Sequence, residues 1–161
     1  MNFGVILKKI ERLQMIHYQK NINIDATPEA VWAILRRFMH IHEFAPFVKS
    51  VNPLTEGEIG LGSKRRCNFN DGTSVVEEIV EWQDGQRYRV ELSEMTSMPL
   101  HEMFAEICLV PQGDTVKVIW SMDYRVKFGP LGWLLGNTIM KLMMGKILKA
   151  NLNGLAEKVK V

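Results

Sequence analysis

At 161 residues, 47% hydrophobic and 24% charged, the chain has the composition of a globular domain large enough to bury its own core. A net charge of +2, with basic residues scattered among acidic ones, gives no sign of nucleic-acid binding. Two cysteines, Cys67 and Cys108, lie far apart without a CxxC spacing. They exclude a disulfide scaffold and make a reducing cytoplasm the default.

The N-terminal segment MNFGVILKKIERLQ has no signal-peptide core, because charges follow directly after Leu7. Ile6, Ile10 and Leu13 suit a short helix, and residues 1–14 read as an extension before one domain over 15–161. From His17 to Asp25 polar and apolar residues alternate, as in a strand. Thr27-Pro28-Glu29 then supplies an N-cap, a proline for the first turn and an acid for the positive helix end. Val31, Ile34, Leu35 and Phe38 give this helix one buried face, and a shorter helical piece or loop follows to Phe47.

Beyond Val48 turn signals recur: Glu56-Gly57, Asn70-Asp71-Gly72, Asp84-Gly85, Ser97-Met98-Pro99 and Pro111-Gln112-Gly113-Asp114. Between them six runs have strand composition: 48–54, 63–69, 74–82, 87–95, 100–110 and 115–126. Asp-Gly between alternating runs predicts hairpins, and sequential hairpins predict an antiparallel meander. Alternation then predicts a dry face. It holds Val116, Val118, Trp120, Met122, Tyr124 and Val126 in one run, Tyr88, Val90 and Leu92 in another, and His101, Met103, Ala105, Ile107 and Leu109 in a third. In 74–82 Val75/Ile79 competes with Val76/Val80, so its register stays open. The basic triplet Lys64-Arg65-Arg66 reads as a solvated strand rim, and the glycine-rich stretch 57–64 as a hairpin loop able to gate a cavity.

From Phe128 onward FGPLGWLLGNTIMKLMMGKIL predicts one long terminal helix, apolar on nearly every side in its first half. Leu131, Leu134, Leu135, Ile139, Leu142, Met143 and Ile147 require a concave partner, a cavity or lipid. The uncharged stretch from Phe128 to Met140 is too short for a membrane span, which needs roughly 18–20 residues. A curved sheet wrapped around this helix accounts for its excess apolar surface, which then forms one wall of a cavity.

The fold class expected is therefore α+β: a curved antiparallel sheet of about seven strands around a long C-terminal helix, with two short helices near the N-terminus. That order, with INIDATPEAVW early and GSKRRCNFNDG in the middle, resembles the START-like superfamily. The closer resemblance is to its polyketide cyclase/dehydrase and lipid-transport branch, which shares the helix-grip fold of the plant pollen allergens. It covers nearly all of 15–159 and rests on architectural motifs: ATPEAVW, EEIVEW and FGPLG.

The resemblance implies a cavity between sheet and long helix that holds a hydrophobic small molecule such as a lipid, isoprenoid, quinone or polyketide-like ring system. The expected lining is Phe69, Tyr88, Leu92, His101, Met103, Trp120, Met122, Tyr124, Ile139 and Met143, with a mouth near 96–99. A filled core of the same residues is the rival reading. His101 and Tyr88 are acid–base candidates. So is Glu77, since either Glu77 or Glu78 points inward on a regular strand, with burial raising its pKa, unless a bulge turns both outward. A binding or transport protein is the preferred reading, with a cyclase or dehydratase using the same cavity as the alternative. No cofactor and no metal site is expected. The pair His40 and His42 lacks a third ligand at a recognisable spacing. Transient membrane contact would run through Leu131, Trp133 and Leu134 beside Lys127 and Lys141.

Overall fold

The computed structural model describes residues 2–95 and 98–160. Helix α1 (Phe3–Leu13) precedes strand β1 (Ile16–Ile24) and helix α2 (Pro28–Leu35), and a short 3-10 helix spans Phe38–Glu43. The meander follows as β2 (Val48–Pro53), β3 (Lys64–Phe69), β4 (Ser74–Gln83), β5 (Arg87–Ser93), β6 (Leu100–Gln112) and β7 (Thr115–Val126). The C-terminal helix comprises α3 (Gly129–Leu135), a π-helical turn (Gly136–Met140) and α4 (Lys141–Lys160).

All strands pair antiparallel in one seven-stranded sheet of order β1-β7-β6-β5-β4-β3-β2. The hairpin tips at Gly72, Gly85 and Gly113 have positive φ, the left-handed backbone that glycine adopts without steric cost in tight turns. The first strand joins the last, from Ile16 opposite Tyr124 to Ile24 opposite Val116. Thr27 caps α2 as its sequence predicts, its Oγ1 accepting from the Ala30 N–H at 3.2 Å. Val31, Trp32 and Leu35 of that helix are buried.

On α4, Met144, Leu148, Asn151, Leu152 and Leu155 are buried, the spacing of one helical face. The backbone of the C-terminal helix approaches its neighbours closely at glycines. A Cβ at Gly154 would lie 1.9 Å from the Phe44 carbonyl oxygen, and one at Gly136 would lie 2.4 Å from Ile16 Cδ1. Tyr124 donates its hydroxyl hydrogen to the Gly136 carbonyl at 2.7 Å. This outside claim on a helix carbonyl coincides with the π turn that interrupts the terminal helix.

The first half of that helix departs from expectation. Leu131, Ile139 and Leu142 are 73%, 65% and 79% exposed, and Leu134 is 54% exposed. The sheet does not wrap this segment; the concave face covers α4 instead. Glu43 fastens the 3-10 helix to α4. It accepts from Arg37 at 2.7 Å and lies 3.1 Å from Lys158, and these contacts hold its carboxyl down at about 2.

Gly154→Ala should destabilise the fold by about 1–3 kcal/mol or more through overpacking against a backbone that cannot yield. Gly60→Ala, with open space around the new methyl, should leave urea denaturation nearly unchanged. The depressed Glu43 carboxyl contributes stability above its unfolded value of 4.5, and this is lost as pH falls toward about 2. Melting temperatures of wild type and Glu43→Gln should therefore differ at neutral pH and converge on acidification.

Candidate functional site

Between the concave face of the sheet and α4 lies a cavity of about 400 Å3. Its floor is built by strand alternation: Cys67 and Phe69 from β3, Val75 from β4, and Tyr88, Val90 and Leu92 from β5. Met103, Ala105 and Ile107 of β6 and Trp120 and Met122 of β7 continue it. Met143, Met144, Ile147 and Asn151 of α4 cover it, and Phe47, Asn70 and Asp71 stand at one side. The walls are almost wholly apolar, with a small set of polar groups.

The most buried of these is Arg65, at 2% side-chain exposure. Arg65 and Glu77 are register partners in the β3–β4 pair, so both point to the concave face. Arg65 Nε donates to Glu77 Oε2 at 2.7 Å, Nη2 pairs with the same oxygen, and Nη1 donates to the Phe38 carbonyl. The guanidinium carbon sits 3.8 Å from the centre of the Phe38 ring. That ring in turn meets Tyr88 edge-on at 5.9 Å. Burial alone would lower the Arg65 pKa, but the Glu77 charge reverses this and holds it above its ordinary value. Arg65 and Glu77 thus form one closed ion pair in the cavity wall.

Neighbouring groups keep their protons. Burial pushes the Cys67 thiol up to about 12, with the Glu77 charge adding to it, and burial likewise raises Tyr88 to about 12. Two further polar atoms on lining residues, Trp120 Nε1 and Asn151 Oδ1, are buried and have no hydrogen-bond partner among the described residues. Native interiors rarely leave such groups unpaired.

Of the residues expected from sequence, Phe69, Tyr88, Leu92, Met103, Trp120, Met122, Met143 and Glu77 are brought together on the cavity wall. Three are not. His101 is exposed, because the pairing slips between Leu100 and Glu102 and places it in a bulge that inverts the alternation. Tyr124 is fully buried but lies away from the cavity, engaged with the Gly136 carbonyl. Ile139 faces outward on the π turn. In β4 the register shift falls between Ile79 and Glu81, beyond the two acids. Glu77 therefore points inward, while Glu78 pairs at the surface with Lys64 at 2.9 Å.

The solvated rim expected of the basic triplet is corrected at its middle member. Arg65 shares the period-two series of Cys67 and Phe69, a signal its charge obscured. No residue of the stretch 57–64, read as a hairpin loop able to gate a cavity, is among the described lining residues. The mouth expected at 96–99 falls partly on residues 96 and 97, outside the described residues; Met95 and Met98 on either side line the cavity.

A family model described as polyketide cyclase/dehydrase and lipid transport matches residues 15–160. The chain belongs to this family. No curated protein matches it in sequence. Among solved structures it is similar to the Zhui aromatase/cyclase from Streptomyces sp. R1128, at TM-score 0.76 and 14% identity over 91% of this chain and 94% of that one. It is also similar to norcoclaurine synthase from Thalictrum flavum, at TM-score 0.71 and 15% identity over 93% and 90% of the two chains. A protein from Thermus thermophilus superposes at TM-score 0.70 and 23% identity, over 89% and 97%. These likenesses establish the α+β helix-grip fold; their identities are too low to carry an activity across.

The buried ion pair makes a sharp prediction. Glu77→Gln should cost about 3–5 kcal/mol of unfolding free energy, because it leaves the Arg65 charge buried and uncompensated. Arg65→Met combined with Glu77→Leu should recover most of that loss in urea denaturation. A single variant as mild as the double one would show that the pair is solvated.

Proposed function

We propose that this protein binds, and carries or presents, a hydrophobic small molecule in the cavity between sheet and α4. The observation that carries this reading is the cavity itself, with its apolar wall and few polar groups. Kept dry, an apolar void of this volume would cost on the order of 10 kcal/mol, comparable with the whole stability of a domain. A ligand offsets that cost.

The polar groups describe the guest. It is flat or chain-like and mostly apolar, with a hydroxyl or carbonyl able to meet the Trp120 N–H, the Asn151 amide or the Arg65–Glu77 pair. Lipids, isoprenoids, quinones and polyketide-like rings all answer this description. The two unpaired cysteines suit a reducing compartment, and a cytoplasmic location belongs to the same proposal.

A cyclase or dehydratase using the same cavity is the second reading. It draws on the Arg65–Glu77 ion pair in the wall and on the family to which the chain belongs. Binding is preferred because the acid–base groups of the described lining are already engaged, Asp71 Oδ1 at the rim accepting from the Thr73 N–H and hydroxyl. Glu77 Oε2 is engaged by Arg65, Cys67 and Tyr88 hold their protons to about 12, and His101 stands outside.

Thermal melts with a long-chain alcohol, a prenylated quinone and a hydroxyanthraquinone test the proposal. A ligand at a hundred times its Kd stabilises by about 2.7 kcal/mol, an upshift of several degrees. Ala105→Trp, which fills the cavity from its floor, should abolish the upshift while the protein still folds. No upshift with any of the three, and no small molecule retained in native mass spectrometry, would refute the binding reading.

A further inference from the structure

Charge is unevenly distributed along this chain. From Tyr124 to Ala156 there are five Lys and Arg residues and no Asp or Glu. This is the segment that carries the exposed apolar residues of α3 and the π turn. Leu131, Trp133 and Leu134 are accompanied by Phe128, Ile139 and Leu142, all exposed. Lys20, Lys141, Lys146 and Lys149 line one shallow groove together with Leu142, so the cations and the apolar patch are contiguous.

Helix α1 adds a second apolar stripe at the same end. Phe3, Ile6, Ile10 and Leu13 recur at helical spacing and are exposed, with Lys8 and Lys9 beside them. Leu13 is three residues from Ile16, which packs where Gly136 opens the π turn, so α1 leaves the domain beside the exposed patch.

A contiguous apolar surface of this size on a folded domain calls for a partner. A second copy would bring lysine against lysine across a two-fold axis. A nucleic acid would leave the leucines and the tryptophan in water. An anionic bilayer satisfies both components, with apolar side chains and an indole at the acyl boundary and ammonium groups among phosphates.

We propose that this end of the molecule docks on an anionic lipid bilayer. Leu131, Trp133 and Leu134 enter the interface, and Lys20, Lys141, Lys146 and Lys149 engage the headgroups. Met143 and Lys146 also line the ligand cavity, so docking sets the cavity beside the lipid phase. The proposal does not depend on what the cavity holds.

Flotation of the full chain with vesicles tests it. The protein should float with phosphatidylcholine–phosphatidylglycerol vesicles at low salt, and much less with phosphatidylcholine alone or at high salt. Leu131→Glu with Leu134→Glu should weaken partitioning by about tenfold or more, and Lys141→Glu with Lys149→Glu by at least about fivefold. These side chains are exposed or half-buried at the surface, so melting temperatures should hold. Brominated lipid should quench Trp133 emission.

Three results would overturn the proposal. One is absence of flotation with anionic vesicles. Another is flotation indifferent to all four substitutions. The last is a stable dimer in sedimentation that the leucine substitutions dissolve, which would assign the patch to a second copy.

Discussion

The C-terminal helix is gripped at the places where it has no side chain. Gly136 lies against Ile16 and Val126, Gly145 against the Tyr18 hydroxyl, and Gly154 against the Phe44 carbonyl. A Cβ at any of them would stand 2.5 Å or less from a neighbouring atom. Held at these points, the helix cannot also sink into the middle of a curved sheet. Its Met143, Ile147 and Asn151 remain opposite the floor rather than in it, and the space between is the cavity. Packing that is tight at the supports and open along the Met143–Ile147–Asn151 side departs from the uniform density of an ordinary core.

Into that apolar space the fold introduces the Arg65–Glu77 ion pair. Pairs of this kind add little net stability, since desolvating both charges consumes most of their attraction. Arg65 nonetheless has three kinds of partner: a carboxylate, a backbone carbonyl and an aromatic face. The effect is to fix a polar spot on an otherwise greasy wall and to tie the 3-10 helix, through Phe38, to the third strand. On the proposed reading, such a spot would position and orient a guest more than it would add stability.

The hairpins were legible because Asp-Gly tips leave little choice of turn, and alternation identified most of the inward set on three strands. Where reading failed, a local event had broken the period or a residue type had obscured it. A single bulge residue expelled His101. Arg65 shares the phase of Cys67 and Phe69, yet its charge argued for solvent; only the facing Glu77 makes its burial tolerable. Apolar character misled in the opposite direction at Leu131, Ile139 and Leu142, which were expected inside and lie outside. Hydropathy records what a side chain prefers to touch, and a protein partner, a ligand and a membrane all satisfy the same preference. Tyr124 was lost to the cavity through a backbone carbonyl that no side-chain pattern reveals.

The cavity draws six of its lining side chains from methionine: Met95, Met98, Met103, Met122, Met143 and Met144. Thioethers bend to fit guests of different outline, but they also accept oxygen. Peroxide reaching the wall would turn each sulfur into a polar, chiral sulfoxide without moving the backbone, until a reductase restored it. A bound guest of the kind proposed would cover those sulfurs. Occupancy would then oppose oxidative damage, and an empty cavity left among peroxides would lose the apolar character that defines it.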